Sequence, residues 1–176
     1  FLSLDGVMEA PEQWHFPFVS DDMQEYNLAR TLAPDALLLG RATYVIFASS
    51  WPTRTNNEYG MADKFNNMPK FVVSSTLAKA DWNNSTIIKT NVIEEIMKLK
   101  QQPGGDIGIT GSATLVQSLL GAGLIDMLHL MVHPIVLGHG QRLFKNGNDT
   151  IGLKLTENRT FTGGVVALTY QPDKKV

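Results

Sequence analysis

The stretch ALLLGRATY (residues 36–44) runs apolar for four residues, stops at Gly40-Arg41 and then continues in helix-forming residues. DIGITGSATL (residues 106–115) repeats that order. In both, an apolar run is followed by G-x-A-T: Gly40-Arg41-Ala42-Thr43 and Gly111-Ser112-Ala113-Thr114. A short apolar run without polar alternation is the pattern of a strand buried on both faces, as in a parallel sheet. Glycine at its end lets the backbone turn tightly or approach a ligand. The helix that follows points free N–H groups and its positive dipole end outward, which suits a phosphate. Thr43 and Thr114 add hydroxyl donors, and Arg41 adds a fixed positive charge able to take a phosphate bidentately. Two such turns in one sheet suit two parts of one dinucleotide. The plainer alternative is that each glycine only makes a strand-to-helix turn and each threonine caps a helix.

Working outward, residues 1–4 read as the end of a strand, followed by Asp5-Gly6 and a loop rich in breakers. Ser20 is placed to cap a helix that carries Asp21 and Asp22 in its first turn and Arg30 towards its end. The helix after Gly40 is expected to reach about Ser50, before Trp51-Pro52. A polar loop over residues 53–69 leads to the strand KFVVSS. Ser85 to Lys89 is a further strand, and Asn91 with Glu94 forms a capping-box variant ahead of the next helix. After DIGIT and the helix SATLVQSLLGAG, the run MLHLMVHPIVLG is of β type. LKLTENRTF and VVALTYQ follow as strands joined near Gly163-Gly164. Strands alternating with helices predict an α/β fold: three layers, α/β/α, around a mostly parallel twisted sheet with antiparallel C-terminal edge strands. With 176 residues and no linker-like segment, a single domain over residues 1–176 is expected.

Composition excludes several classes. A formal net charge of -2 supplies no basic field for nucleic acid or an anionic membrane surface. No apolar run approaches the roughly 20 residues that span a bilayer. The absence of cysteine removes disulfides, thiolate metal sites and cysteine nucleophiles, and it suits a cytoplasmic location. His129 and His133 fall in a strand, where four positions span about 13 Å, too far for one ion. No metal is therefore expected, and both histidines should share a sheet face with Met127 and Met131. The chain opens at Phe1 in mid-strand, so further residues are expected to precede it.

SLDGV, LLLGRATY, FVVSST, GDIGITGSATLVQSLL and IDMLHLMVHPIVLGHGQRLF occur in that order along nearly the whole chain. This series resembles the dihydrofolate-reductase-like superfamily, and within it the branch holding the reductase domain of riboflavin biosynthesis. The resemblance implies NADPH as cofactor. It sets Arg41 near the adenosine 2′-phosphate and Thr43 at the pyrophosphate, beside Gly40. It sets Ser74, Ser75 and Thr76 along the adenosine phosphate side, and Gly111, Ser112, Ala113 and Thr114 over the pyrophosphate. The loop after SLDG, with Gly6, would border the nicotinamide and substrate. His139 stands where the family often has glycine.

Two departures follow from the same comparison. Dihydrofolate reductases carry a carboxylate in the first helix, and the matching place here falls near Gln24, a neutral amide. Asp22 and Glu25 are close in sequence, but each helix position turns about 100°, so neither is a simple substitute. The riboflavin enzymes usually carry a deaminase domain ahead of the reductase, and 176 residues leave no room for one, so a stand-alone member is expected. Asp5 is the remaining acidic candidate, as a substrate hydrogen-bond partner or proton relay. A turn-forming Asp-Gly that caps local backbone is its alternative. Trp14 and Trp51 are candidates to cover an aromatic ligand, or else they close the edge of the core.

The expected function is NADPH-dependent hydride transfer to a small heterocyclic or ribosylaminopyrimidine-type substrate. The alternatives are a pterin or dihydrofolate-type reductase lacking the helix acid, and a non-catalytic nucleotide-binding dimeric module. In either case a homodimer seam is expected along the late strands, for instance residues 127–137.

Overall fold

The computed structural model describes residues 1–54, 57–144 and 150–173. It divides into two compact units, one formed by Phe1–Leu28 with Val116–Val176 and the other by Ala29–Leu115.

The Ala29–Leu115 unit is built on a four-stranded parallel sheet. Its strands are β2 (Ala36–Gly40), β3 (Lys70–Val73), β4 (Ser85–Ile88) and β5 (Ile107–Ile109), in the order β4-β3-β2-β5. Leu37, Leu38 and Leu39 are all buried in β2, as its unbroken apolar run requires of a central parallel strand. Helix α2 (Arg41–Ser50) follows without a break. Its Tyr44, Phe47 and Ala48, with Trp51 one step further, lie at i, i+3, i+4 and i+7, and they pack on Leu37, Leu39, Phe65 and Val72. Helix α4 (Val92–Lys100) connects β4 to β5.

The other unit holds β1 (Leu2–Ser3), β6 (Leu128–His133), β7 (Gly152–Thr160) and β8 (Val166–Asp173), in the order β1-β6-β8-β7. β1 pairs parallel with β6, while β6–β8 and β8–β7 are antiparallel. The β7–β8 turn closes where Gly163-Gly164 was expected, Phe161 N–H bonding to Val165 O at 2.9 Å. Met23, Met131, Phe161, Val165 and Ala167 form its core. Helix α1 (Asp21–Leu32) begins in this unit and ends in the other, and α5 (Ala113–Gly121) does the reverse.

Three local expectations are corrected. The polar loop contains a helix, α3 (Met61–Asn67), held by burial of Ala62 and Phe65 at i and i+3. Lys70, fully buried, donates to the carbonyls of Phe65, Asn66 and Met68 at the end of that helix. Thr55 and Asn56 of the same loop lie outside the described residues. Asn91 precedes α4 in the left-handed conformation, φ 51°, and its side chain makes no cap bond. Ser20 stands just before α1, its carbonyl accepting from Gln24 N–H at 2.9 Å, but its hydroxyl donates to Asp22 Oδ1 at 2.5 Å instead of accepting from a helix N–H. In its sheet β6 lies between β1, which pairs with Val132 and His133, and β8, while β7 stands at the end of the sheet.

Candidate functional site

All four strands of the parallel sheet run the same way, so their carboxyl ends share one edge. From β2 the chain steps to β3 and then β4, and it returns to place β5 on the other side of β2. The strand order therefore reverses between β2 and β5, the position at which open α/β sheets bind ligands. Leu38 lies opposite Ile109, so Gly40 and Gly111 each stand two residues beyond a paired position. The two G-x-A-T turns flank this switch point.

They also lock together. Gly40 N–H donates to Ser112 Oγ at 2.9 Å, and Ser112 Oγ lies 2.9 Å from Thr43 Oγ1. Space there is tight: a Cβ on Gly40 would meet Ser112 Oγ at 3.1 Å, and one on Gly111 would meet Thr43 Oγ1 at 3.2 Å. Gly111 and Ser112 are both left-handed, at φ 65° and 56°. For serine that conformation is uncommon and carries strain. Ala113 is buried at the start of α5, and Thr114 is exposed in its first turn.

Gly40 occupies the cap position of α2 and has no side chain to satisfy the helix's first N–H groups. Arg41 is exposed at the first helical position and has no carboxylate partner among the described residues. A cation at the positive end of a helix is locally unfavourable, and an anion bound there would reverse the sign. Next along the edge, Ser74 follows β3. Its buried Oγ accepts from Thr76 N–H at 3.2 Å and Leu77 N–H at 2.9 Å, while Ser75 and Thr76 are exposed.

Trp51 belongs to the core of the same unit. Its ring centroid lies 4.4 Å from that of Phe65, with the Arg54 guanidinium carbon 4.2 Å from its own. That packing accounts for Trp51 without a ligand. The helical spacing from Tyr44 was the sequence signal for it.

In the other unit Asp5 is fully engaged. Its carboxylate accepts from Ser3 Oγ at 2.7 Å, Leu137 N–H at 3.1 Å and Gly138 N–H at 2.9 Å. Arg142 Nη2 stands 3.4 Å away, and Arg142 Nε donates to the Asp5 carbonyl at 2.9 Å. The Ser3 hydroxyl first, and then the Leu137 N–H, hold the carboxyl well below the usual carboxylate range. A proton relay needs a group that can be protonated near neutral pH. Asp5 is held the other way, and its bonds are those of an aspartate capping backbone, which favours the capping alternative over the relay.

Gly6, at φ 81°, accepts from Leu143 N–H at 3.0 Å in the same strap. Trp14 is buried, its Nε1 donating to Glu9 O at 2.9 Å and its ring meeting His133 edge-on at 5.2 Å. Core packing accounts for it as for Trp51. Gln24 is exposed on α1. His133 is fully buried with Nδ1 directed at Met131 O, 3.1 Å, while His129 Nδ1 lies 3.0 Å from Thr169 Oγ1. Nothing local in the sequence links Arg142 to an aspartate 137 positions away.

The model of the RibD C-terminal domain matches residues 1–167. The chain belongs to that family. Among relatives of this RibD-type chain, Bacillus subtilis YyaP, itself uncharacterized, is 35% identical over 172 residues, covering 96% of this chain and 90% of YyaP. A Shewanella sp. PV-4 protein provisionally assigned to riboflavin biosynthesis superposes with a TM-score of 0.78 at 19% identity, covering 98% of this chain and 96% of that one. Enterococcus faecalis dihydrofolate reductase, solved with NADP(H), gives 0.63 at 16% identity, covering 98% and 93%. The fold is thus dihydrofolate-reductase-like, the α/β class expected from the alternating elements. Among the described residues no helix is long and apolar enough to cross a membrane.

Proposed function

We propose that this RibD-type chain is an NADPH-dependent reductase acting on a small heterocyclic or ribosylaminopyrimidine-type substrate. The observation that carries the reading is the junction of the two G-x-A-T turns at the switch point of the parallel sheet. The residues present fit such a cofactor: a helix start without a capping side chain, an exposed arginine and a hydroxyl pair lie on one sheet edge. In this reading Gly40, Thr43 and Ser112 to Thr114 hold the pyrophosphate. Arg41 takes the 2′-phosphate, and Ser74 to Thr76 lie along the adenosine side.

NADPH, when bound, supplies the hydride; the protein orients, excludes water and fixes the charges around it. On the substrate side the proposal keeps Gly6 and Gln24, while Asp5 holds the strap in shape. The proton that accompanies hydride comes from water or from the substrate rather than from Asp5. Homodimerisation stays within the proposal, with the seam at residues 127–137, and β7, a nine-residue edge strand of the kind that templates pairing, is a second candidate surface.

A second reading, a nucleotide-binding module without catalysis, is favoured by the commitment of Asp5 to backbone. Loss of reduced-nicotinamide absorbance across pterin, ribosylaminopyrimidine and quinone panels separates the two. Turnover of any member supports the reductase. NADPH binding without turnover supports the module, and no NADPH binding removes both.

A further inference from the structure

The Gly40 N–H can only donate, and Ser112 Oγ receives it at 2.9 Å. Ser112 Oγ and Thr43 Oγ1 are 2.9 Å apart, so one hydroxyl hydrogen makes that bond. Two hydroxyls carry two hydrogens. The remaining one has no acceptor among the described residues, and the chain therefore ends in a free O–H donor whichever hydroxyl carries it. Bonds in series polarise one another, strengthening the last donor. An ionised oxygen, which only accepts, is the matching partner.

We propose that Ser112 is a positioning residue that joins Gly40 and Thr43 into a polarised donor chain for an oxyanion. The oxyanion is a phosphate oxygen of NADPH in the reading above, on which this inference rests. The left-handed backbone of Ser112 supports the role. A serine is held at φ 56°, where glycine would sit without strain, and the group that glycine lacks is the one making both bonds. When Ser112 donates to Thr43, the three bonds run in series, Thr43 presents the free O–H, and Ser112 acts through it.

The test is a double-mutant cycle read in NADPH affinity, with Thr43→Val, Ser112→Ala and the pair. Each single change is expected to weaken NADPH about tenfold, as loss of a bond to a charged group does. The double variant should bind about as weakly as Thr43→Val alone, because both changes remove one donor chain. Thr43→Ser, which keeps the hydroxyl, should bind within about twofold of wild type. A merely structural serine would lower the melting temperature yet leave the two losses additive, about a hundredfold together, and that result overturns the proposal. Wild-type affinity in Ser112→Ala overturns it as well. If Ser112→Ala does not fold, Ser112→Gly takes its place in the cycle, since glycine accepts the same φ. Failure of the wild type to bind NADPH overturns both the donor chain and the cofactor reading, whereas normal binding with additive losses overturns the chain alone.

Discussion

Gly40 N–H and Ser112 Oγ are joined by a 2.9 Å hydrogen bond across 72 positions of sequence. The bond converts two strand-end turns into one surface, because Ser112 also reaches Thr43 in the first turn of α2. Each turn alone would be read as a strand-to-helix bend. Their contact places both at the sheet's reversal point, with Arg41 beside them.

The two glycines should respond differently to alanine. Gly40 has φ −75°, which any residue adopts, so Gly40→Ala mainly pushes Ser112 Oγ away from a contact at 3.1 Å. Gly111 has φ 65°, and alanine there adds about 1–2 kcal/mol of backbone strain to its contact with Thr43. Gly40→Ala is therefore expected to lose NADPH affinity with little change in a denaturant melt, while Gly111→Ala loses both. Wild-type NADPH affinity in Gly40→Ala would remove the turn junction from the cofactor site.

Arg41→Ala should separate the two nicotinamide cofactors. A charge-assisted contact to a phosphate contributes about 1.5–3 kcal/mol, so NADPH affinity should fall at least about tenfold. NADH, which lacks the 2′-phosphate, should be almost unaffected. Thermal-shift titrations with both cofactors measure this directly. Equal shifts from both in the wild type would contradict the assignment of Arg41.

The parallel sheet was legible because strands buried on both faces carry unbroken apolar runs, as Leu37 to Leu39 do. The β7–β8 hairpin was legible from its glycine pair. Strand order was not: that β6 lies between β1 and β8 depends on pairings between distant segments. Helix α3 hid among asparagines and a glycine, because burial of Ala62 and Phe65 is decided by distant partners. The same holds at the candidate site. Gly40 and Gly111 were visible as motifs, but apart from the Ser3 hydroxyl the bonds that commit Asp5 come from residues 137–142, which nothing near Asp5 announces.

Asp5→Asn should loosen the strap over residues 137–142 without leaving the signature of a lost general acid. The folded-state carboxyl titrates below its ordinary value, so its stabilising contribution is complete above about pH 4 and is lost as pH falls through the lower folded value. The melting-temperature gap between wild type and Asp5→Asn should stay constant from neutral pH to about pH 4 and close only below it. Hydrogen exchange at Leu137 and Gly138 should quicken in the variant. A turnover pH profile that loses its acidic limb in Asp5→Asn would restore Asp5 as a proton donor.

Lys70 offers a test of opposite sign. Its ammonium is buried against the Trp82 ring at 4.3 Å, and burial pushes its pKa down to about 8. The Phe65, Asn66 and Met68 carbonyls and the ring face favour the charged form, so they offset part of the desolvation without reversing it. An unfolded lysine titrates near 10.4, so between about pH 8 and that value the unfolded chain binds more protons than the folded one. Stability carried by Lys70 should therefore rise with pH across this window. Lys70→Met removes the titration, leaves three carbonyls at the end of α3 without their donor and should be less stable at every pH. Denaturant midpoints of the two proteins, compared from pH 7 to 10, should diverge in favour of wild type as pH rises. A gap that narrows instead would mean that the carbonyls and the Trp82 face outweigh desolvation, leaving Lys70 a stabilising cap that is charged throughout.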